Sequence, residues 1–459
     1  MCFVNHSTKN KTMKRRQFLQ QASTAAGIGM AGMLPLELLA ANRKDISPNE
    51  KLGIAVIGCN GMGWANMTKH FQVDGVECIA LCDVDQSVLE KRSAGVKEIQ
   101  GKAPRLYGDY RKLLEDKDID AVIIGTPDHW HCRMMVDAVQ ADKHVYVEKP
   151  IANTIQECRI MMAAGKKYGK VVQVGQWQRS GAHYEKAIEY VRSGKLGNIR
   201  LVKVWAYQGW MKPVPVLPDS APPEGVDYAM WLGPAPNRPF NPNRFHFNFR
   251  WFWDYAGGLM TDWGVHEIDI ALYAMQAKAP KSVMASGGKL AYPDDASETP
   301  DTLQAIFEYE NFNMLWEHAT GIDNGNYGRT EGIAFIGNHA TLVVNRQGWE
   351  VIPETQWEDG INKYEVEAIP QQDRAWDADY VKDHAQNFVD AIRANDPGLL
   401  NCGIETGGIA AINAQMGNIA YKTGRKVYWD KGMGLFKNDK EASALISTEY
   451  HNGWSLPKL

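Results

Sequence analysis

The chain has 459 residues, of which 44% are hydrophobic and 23% are charged. This length and composition suit a globular protein with two domains, each with its own apolar core. The formal net charge of −4 at pH 7 gives no electrostatic reason to expect nucleic acid or an anionic membrane as the partner.

The first residues are typical of an export signal. A Lys-Arg-Arg run at 14–16 precedes a modest apolar run rich in Gly and Ala, which is the twin-arginine pattern. Glu37 and the glycines make this run too polar for a membrane span. We therefore predict a signal peptide and linker over residues 1–48, with Met13 as a candidate start and cleavage near Ala40. Export of the folded protein to the periplasm would follow.

The seven cysteines show neither paired nor metal-ligand spacing. Several fall within predicted strands or helices, where a free cysteine behaves as a small buried hydrophobic residue. We predict no disulfide framework and no metal site that involves them.

Up to about residue 175, short apolar runs alternate with helical segments. The runs, in order, are LGIAVIGC, VECIALCDV, AVIIGTP, HVYVEKP and VVQVG. Near-continuous apolar strands separated by helices indicate βαβ units and a parallel sheet covered on both faces.

The first of these strands leads into a glycine-rich turn and a helix, in GIAVIGCNGMGWANM. Gly58, Gly61 and Gly63 permit a tight turn and let the backbone approach a pyrophosphate at the helix N-terminus. Asn60 stands where the usual motif has glycine, and asparagine tolerates left-handed backbone angles. Asp83 ends the second strand, where an acid binds the ribose 2′-hydroxyl and repels a 2′-phosphate. The pattern favours NAD over NADP, and the alternative is a turn that binds no ligand.

Two further motifs follow strands of the same sheet. The run VYVEKPI (145–151) would place the Lys149 ammonium beside the nicotinamide, with a cis peptide bond before Pro150. The alternative is a surface ion pair that ends the strand. The run GTPDHWH (125–131) would bring Thr126 and Pro127 near a ribose. His129 and His131 lack supporting ligands, so we predict no metal there.

The pattern changes after about residue 175. A helix at 182–193 and the strand IRLVKVWAYQ precede an irregular stretch, 209–253, rich in Trp, Pro and Asn. We interpret this stretch as ordered loops packed over a binding site. Alternating strands then predict an antiparallel sheet, and two helices near 379–395 and 404–423 close the chain.

Between the irregular stretch and the alternating strands, TDWGVHEIDIAL (261–272) has the pattern of an amphipathic helix. The spacing i, i+4, i+7 places Asp262, His266 and Asp269 on one stripe. His266, with an ordinary pKa of about 6.5, suits a general base. Asp262 would hold the imidazole or contact a substrate hydroxyl, and Asp269 would orient His266 or cap a neighbouring segment. The alternative is a histidine satisfied within the core.

Together these motifs resemble the Gfo/Idh/MocA oxidoreductase family over about 50–430, and the leader is similar to that of its exported members common in Bacteroidetes. The resemblance implies an α/β protein. A Rossmann domain over 49–175 would precede a C-terminal α/β domain over 176–430 and a tail over 431–459. The second domain would have a large open, mainly antiparallel sheet that supports a homo-oligomer, either a dimer or a tetramer.

The resemblance also implies roles for particular residues. It implies catalysis by Lys149, Asp262 and His266, the last two of which would also bind substrate together with Trp177 and Arg179. The residues expected to bind the cofactor are Gly58, Asn60, Gly61, Met62, Gly63, Asp83, Thr126, Pro127, His131, Glu148 and Lys149.

The activity implied is NAD-dependent hydride transfer to or from a sugar, polyol or glycoside hydroxyl. Because the periplasm offers no free NAD pool, we predict that NAD is bound tightly and recycled in place. One alternative is a glycosidase that oxidises a ring hydroxyl, eliminates the aglycone and re-reduces the ring, as family 109 glycoside hydrolases do. Those enzymes typically lack the Asp262–His266 pair. A non-enzymatic sugar-binding protein is the third alternative, and an intact Lys149, Asp262 and His266 set argues against it.

Overall fold

The computed structural model describes residues 36–41 and 51–459. The twin-arginine run lies outside the described residues, and so does the linker that follows the predicted cleavage site. Within the predicted leader, helix α1 (Leu36–Ala41) contacts a helix of the first domain, and its Leu39 is buried there.

The N-terminal half forms a parallel six-stranded sheet with the order β3-β2-β1-β4-β5-β6. Its strands are β1 (Leu52–Ile57), β2 (Val76–Cys82), β3 (Arg105–Tyr107), β4 (Ala121–Ile124), β5 (His144–Val147) and β6 (Val172–Val174). The helices between them are α2 (Gly61–His70), α3 (Gln86–Gln100), α4 (Tyr110–Leu114), α5 (Asp128–Gln140) and α6 (Ile155–Tyr168). This is the doubly wound order of a Rossmann domain, so the predicted fold is confirmed.

Five of the six strands were predicted from their apolar runs. The sequence pattern missed β3, a three-residue edge strand in which Arg105 and Leu106 are exposed. An edge strand that is partly solvated has no continuous apolar run to mark it.

The C-terminal half forms a mixed ten-stranded sheet with the order β16-β13-β12-β11-β7-β10-β9-β8-β17-β18. Its first six strands along the chain are β7 (Leu201–Gln208), β8 (Ser282–Gly288), β9 (Thr302–Glu308), β10 (Asn313–Thr320), β11 (Glu331–Ile336) and β12 (Ala340–Asn345). The others are β13 (Gly348–Pro353), β16 (Ile369–Asp373), β17 (Val427–Asp430) and β18 (Leu435–Phe436), and a separate hairpin pairs β14 (Thr355–Glu358) with β15 (Ile361–Tyr364). Only the β7–β10 pair is parallel among the pairings of the described residues, so the sheet is mainly antiparallel, as predicted.

Seven helices accompany this sheet in the described part of the chain. They are α7 (Ala182–Arg192), α8 (Tyr228–Leu232), α9 (Leu259–Asp262), α10 (Gly264–Met275), α11 (Tyr380–Ala394), α12 (Ile404–Thr423) and α13 (Lys440–Ala444). Helix α10 packs between α12, α7 and the sheet. No helix among residues 36–41 and 51–459 is long and apolar enough to cross a membrane.

The end of the chain returns to the first domain. Helix α11 packs on α2, where Phe388 and His70 contact each other edge to face. In the tail, the Tyr450 hydroxyl donates to the Glu157 carboxylate at 2.7 Å, and Trp454 packs against Trp130. The C-terminal segments therefore fix the helices that surround the nucleotide-binding sheet.

The irregular stretch 209–253 is packed rather than extended. Its apolar residues form a cluster of their own with Trp231, Phe245 and Tyr255. Aromatic rings in contact hold this cluster together, for example Trp231 against Tyr255 at 4.8 Å between ring centres. The stretch covers the carboxyl ends of β1, β2 and β4, where the site lies.

Candidate active site

A cavity of about 380 Å³ lies where the parallel strands end. Segments that follow β1, β2, β4 and β5 form one side, and Trp231, Phe247 and Arg250 of the irregular stretch form part of the other. Of the eleven residues predicted to bind the cofactor, ten line the cavity: Gly58, Asn60, Gly61, Met62, Asp83, Thr126, Pro127, His131, Glu148 and Lys149. The structure thus places the separate sequence motifs at one site.

The glycine-rich turn has the shape that a pyrophosphate requires. Gly58 and Gly61 have positive φ angles of 81° and 44°. A Cβ at Gly63 would lie 1.8 Å from the Gly58 carbonyl oxygen, so Gly63 permits close packing of α2 on the strand. A Cβ at Gly61 would meet nothing within 4 Å, which leaves open space at the turn.

Helix α2 begins at this turn without a side-chain cap. Asn60 occupies the N-cap position but makes no capping hydrogen bond; its Oδ1 accepts from Arg92 Nη2 at 3.3 Å instead. Uncapped amide groups at a helix N-terminus bind anions well. The turn and the helix end therefore fit a dinucleotide pyrophosphate.

Asp83 lies at the end of β2, as predicted. Its carboxylate accepts from the Cys59 amide at 2.7 Å and from the Asp85 amide at 3.1 Å. Burial raises the pKa of Asp83, and these two hydrogen bonds act in the opposite direction. The side chain is thus held in one position at the cavity wall, where it suits a ribose hydroxyl.

His131 and Glu148 support the cavity through internal hydrogen bonds. The two ring nitrogens of His131 lie 2.8 Å from the carbonyl oxygens of Pro150 and Thr126, and burial lowers its pKa to about 4, so the neutral ring donates to one of the two. Glu148 accepts from Asn66 Nδ2 at 2.7 Å. No group of His, Cys, Asp and Glu residues in the described ranges has an arrangement that could hold a metal ion.

Lys149 and Asp262 form a buried ion pair at the end of the cavity. Lys149 Nζ donates to the Asp262 carbonyl at 2.8 Å and to Asp262 Oδ1 at 2.9 Å, and Arg250 Nε reaches the same Oδ1 at 3.2 Å. Burial would raise the pKa of Asp262, but Lys149 and Arg250 lower it below its usual value. Asp262 is therefore ionised, and the Lys149–Pro150 bond is cis, as the sequence predicted.

His266 is buried beside this ion pair. Its ring lies 5.1 Å from that of Trp177, and Nδ1 has no hydrogen-bond partner among the described residues. Burial, and then the charges of Lys149 and Arg346, lower its pKa well below 6.5. The imidazole is neutral at pH 7 and can accept a proton.

The predicted single helix has a one-residue break. Trp263 is the break, so Asp262 ends α9 whereas His266 and Asp269 lie in α10. All residues from Leu259 to Leu272 are buried. Asp262 Oδ1 accepts from Lys149 and Arg250, so this carboxylate oxygen holds the two cations.

Asp269 and Arg179 form a second buried pair. Arg179 donates from Nε and Nη2 to the two carboxylate oxygens at 2.7 and 2.8 Å, and its guanidinium lies 4.2 Å from the Tyr273 ring centre. Asp269 therefore holds Arg179 and does not orient His266. Arg179, predicted to bind substrate, is not among the residues that line the cavity.

Substituting Asp269 with asparagine is expected to reduce the free energy of unfolding by about 3–5 kcal/mol, because Arg179 would remain buried without its counter-charge. Urea unfolding measures this change. Asp254→Asn is the matched control, since its pair with Arg238 is partly exposed and should cost only about 0–1 kcal/mol. Equal losses in the two variants would contradict a structural role for the Asp269–Arg179 pair.

Three charged residues near the site were not predicted from the sequence. Arg250 and Asp128 line the cavity, and Arg346 lies 4.5 and 4.2 Å from the ring centres of Trp177 and Trp263. Arg250 could have been predicted as a site residue, because it is a charged residue within the aromatic run FRWFW. Arg346 follows β12 in sequence, and nothing local indicates that the fold brings it beside His266.

Comparison with known proteins places this arrangement in a family. Residues 52–176 match the family described as "Oxidoreductase family, NAD-binding Rossmann fold", and residues 180–309 match its C-terminal alpha/beta domain. The chain belongs to the Gfo/Idh/MocA oxidoreductase family, and its first domain is an NAD-binding Rossmann domain.

Three individual relatives each share less than 30% sequence identity with this chain. Glycosyl hydrolase family 109 protein 1 from Shewanella sp. (strain ANA-3) is 29% identical over 205 residues, and this chain spans 44% of that protein's length and matches over 40% of its own. Aldose-aldose oxidoreductase from Caulobacter crescentus has a TM-score of 0.60 at 20% identity, covering 82% of this chain and 99% of that one. A levoglucosan dehydrogenase complex with NADH and levoglucosan has a TM-score of 0.60 at 18% identity and the same two coverages. At these identities, the solved structures establish the fold.

Proposed function

We propose that this protein transfers a hydride between a carbohydrate hydroxyl and a tightly bound NAD. The observation that carries the proposal is a neutral His266, whose Nδ1 has no hydrogen-bond partner among the described residues, beside the ion pair of Asp262 with the cavity residue Lys149. The similarity in fold to an aldose-aldose oxidoreductase and a levoglucosan dehydrogenase supports the substrate class.

The cofactor proposed is NAD, with NADP disfavoured. The open turn at Gly61 and the uncapped start of α2 fit the pyrophosphate, and Asp83 lines the cavity at the end of β2, where an acid would bind the ribose 2′-hydroxyl of NAD and repel the 2′-phosphate of NADP. When bound, NAD would supply the hydride acceptor. Tight retention would suit an exported enzyme, and we propose periplasmic export from the twin-arginine run.

Three residues of the chain would provide proton transfer, stabilisation of charge and positioning. Neutral His266 takes the proton from the hydroxyl as the carbon loses its hydride. Lys149 donates a hydrogen bond to the same oxygen and stabilises the negative charge that develops there. Asp262, kept ionised by Lys149 and Arg250, positions the ammonium.

The pH dependence of kcat/KM should reflect the lowered pKa of His266. A general base works when it is neutral, so activity is present above the pKa of the folded protein and is lost as the pH falls through it. Because burial, Lys149 and Arg346 lower that pKa, we expect the acid limb well below pH 6.5. Removing one of the charges, in Arg346→Met, should move the limb to higher pH. A limb at pH 6.5 or above in the unmodified protein would contradict this assignment.

A second candidate is a glycosidase that passes through the same oxidation and then eliminates the aglycone. The likeness to a family 109 glycosyl hydrolase favours it. Both candidates begin with proton removal by His266 and hydride transfer, so the site alone supports each. The first is preferred because Lys149, Asp262 and His266 suffice for net oxidation.

Mass spectrometry of the products separates the two candidates. The purified protein would be incubated, without added cofactor, with a panel of sugars, polyols and aryl glycosides. A product lighter by two hydrogens is expected for the dehydrogenase, and a free aglycone with an unoxidised sugar would support the glycosidase. If neither product forms from a protein that carries NAD, the proposal is wrong.

We also propose that the protein forms a dimer or tetramer through the ten-stranded sheet. The register places Leu201, Met284, Ile306 and Ile352 on one face, and all four are exposed. An exposed apolar sheet face of this kind supports association with another sheet.

A further inference from the structure

The charges around His266 do not balance within the described residues. Lys149 and Arg250 share the Asp262 carboxylate, and Arg179 is paired with Asp269. Arg346, by contrast, forms no ion pair with any described residue. Arg346 is therefore a cation near the proposed base without an ion-pair partner among the described residues.

Glu267, a buried acid next to His266 in sequence, does not form an ion pair with Arg346. Glu267 is fully buried on α10, and burial raises its pKa to about 8 although Arg346 acts in the opposite direction. It is therefore mostly protonated at pH 7. Its contact is with Gln178 Nε2 at 3.3 Å, and Gln178 Oε1 accepts from Arg346 Nη2 at 3.3 Å. The neutral Gln178 amide separates the two side chains.

The Arg346 guanidinium lies against two indole rings. Trp177 and Trp263 lie 4.5 and 4.2 Å from its central carbon. Its Nε is buried and has no hydrogen-bond partner among the described residues, while the residue as a whole is partly exposed. An acceptor bound at the exposed part of the guanidinium would supply a charged hydrogen bond that the described residues do not.

Trp177 contacts both Arg346 and His266. Its half-buried ring contacts the His266 ring at 5.1 Å and stacks on Tyr380 at 5.0 Å, with 16° between the planes. A ligand that reaches Arg346 along Trp177 is therefore close to the imidazole. The rigid aromatic wall also suits the apolar face of a sugar ring.

We propose that Arg346 selects an acidic sugar by binding its carboxylate, so that the substrates are uronic acids or their glycosides. A carboxylate matches the planar edge of a guanidinium, and its charge would neutralise Arg346, which has no ion-pair partner among the described residues. This inference rests on the proposed function, because it places the carboxylate on the sugar whose hydroxyl faces His266.

Calorimetric titration of the protein as purified tests the inference through binding affinity. Methyl glycosides of glucuronate, galacturonate and mannuronate would each be compared with the neutral methyl hexoside of the same configuration. At least one acid is expected to bind about 10–100-fold more tightly than its neutral partner, the range for hydrogen bonds to charged groups. Glucose 6-phosphate tests whether a phosphate is the preferred source of negative charge.

Substitutions then assign the preference to a residue. Arg346→Met should remove the preference and leave the affinity for the neutral glycoside within about twofold, whereas Arg346→Lys should retain part of it. Arg374→Met is the matched control: its guanidinium lies 5.3 Å from the Tyr380 ring centre but is exposed, so it should change neither affinity. If the methionine variant does not fold, a partial loss of the preference for the acidic sugar in Arg346→Lys tests the same inference.

Equal binding of acidic and neutral sugars would overturn the inference, as would tighter binding of the phosphate or an equal loss for both sugars in Arg346→Met. Oxidation of neutral glycosides without any acid preference would refute this inference and leave the proposed function intact. Acid-selective binding through Arg346 without hydride transfer would refute the proposed function alone.

Discussion

Replacing His266 by glutamine is expected to lower kcat by about 10²–10⁴-fold, the usual contribution of a positioned general base. The imidazole is neutral and buried, and its Nδ1 has no partner among residues 36–41 and 51–459, whereas an amide cannot accept the proton at neutral pH. Steady-state turnover with the preferred carbohydrate measures the loss.

Nucleotide affinity is the control for this variant, because His266 is not among the residues that line the nucleotide cavity. The dissociation constant for NAD should change little, and the acid limb of the pH profile should disappear along with the base. Full turnover in His266→Gln, or a loss of NAD binding as large as the loss of kcat, would show that His266 is a structural residue.

Replacing Lys149 by methionine is expected to reduce kcat by about 10²–10³-fold, which is typical when one donor to a developing oxyanion is removed. Methionine keeps the length of the apolar stem but removes the ammonium that bonds to Asp262 Oδ1 at 2.9 Å. Arg250 would still neutralise Asp262, so the fold should persist. Turnover and thermal unfolding, measured together, separate these two effects.

A double-mutant cycle with Asp262→Asn checks the assigned roles. If Asp262 acts by positioning Lys149, the effect of Lys149→Met should be smaller in the Asp262→Asn background than in the unmodified protein. Independent, additive effects would show that the two residues act separately, contrary to the geometry of the ion pair.

The sequence predicted the Rossmann domain well because its information is local. Continuous apolar runs mark β1, β2, β4, β5 and β6, and each functional motif follows a strand directly. Since parallel strands end at one edge of the sheet, local motifs also predicted which residues would meet: ten of the expected cofactor residues line one cavity.

The second half of the site was harder to predict, because its contacts join distant parts of the chain. Helical spacing placed Asp262 and His266 on one stripe but did not show the one-residue break at Trp263. Asp262 is instead held by Lys149, 113 residues away along the chain. No spacing rule could pair Arg179 with Asp269 or bring Arg346 to Trp177, because these contacts depend on how α10 packs against the large sheet.

Absorbance of reduced nicotinamide, followed after mixing the NAD-loaded protein with the carbohydrate panel, tests the central claim most directly. Hydride transfer at the Lys149–Asp262–His266 site predicts that the absorbance rises with at least one sugar in the unmodified protein and does not rise measurably on that timescale in His266→Gln. No rise with any carbohydrate in a protein that holds NAD, or the same rise in both proteins, would contradict the claim.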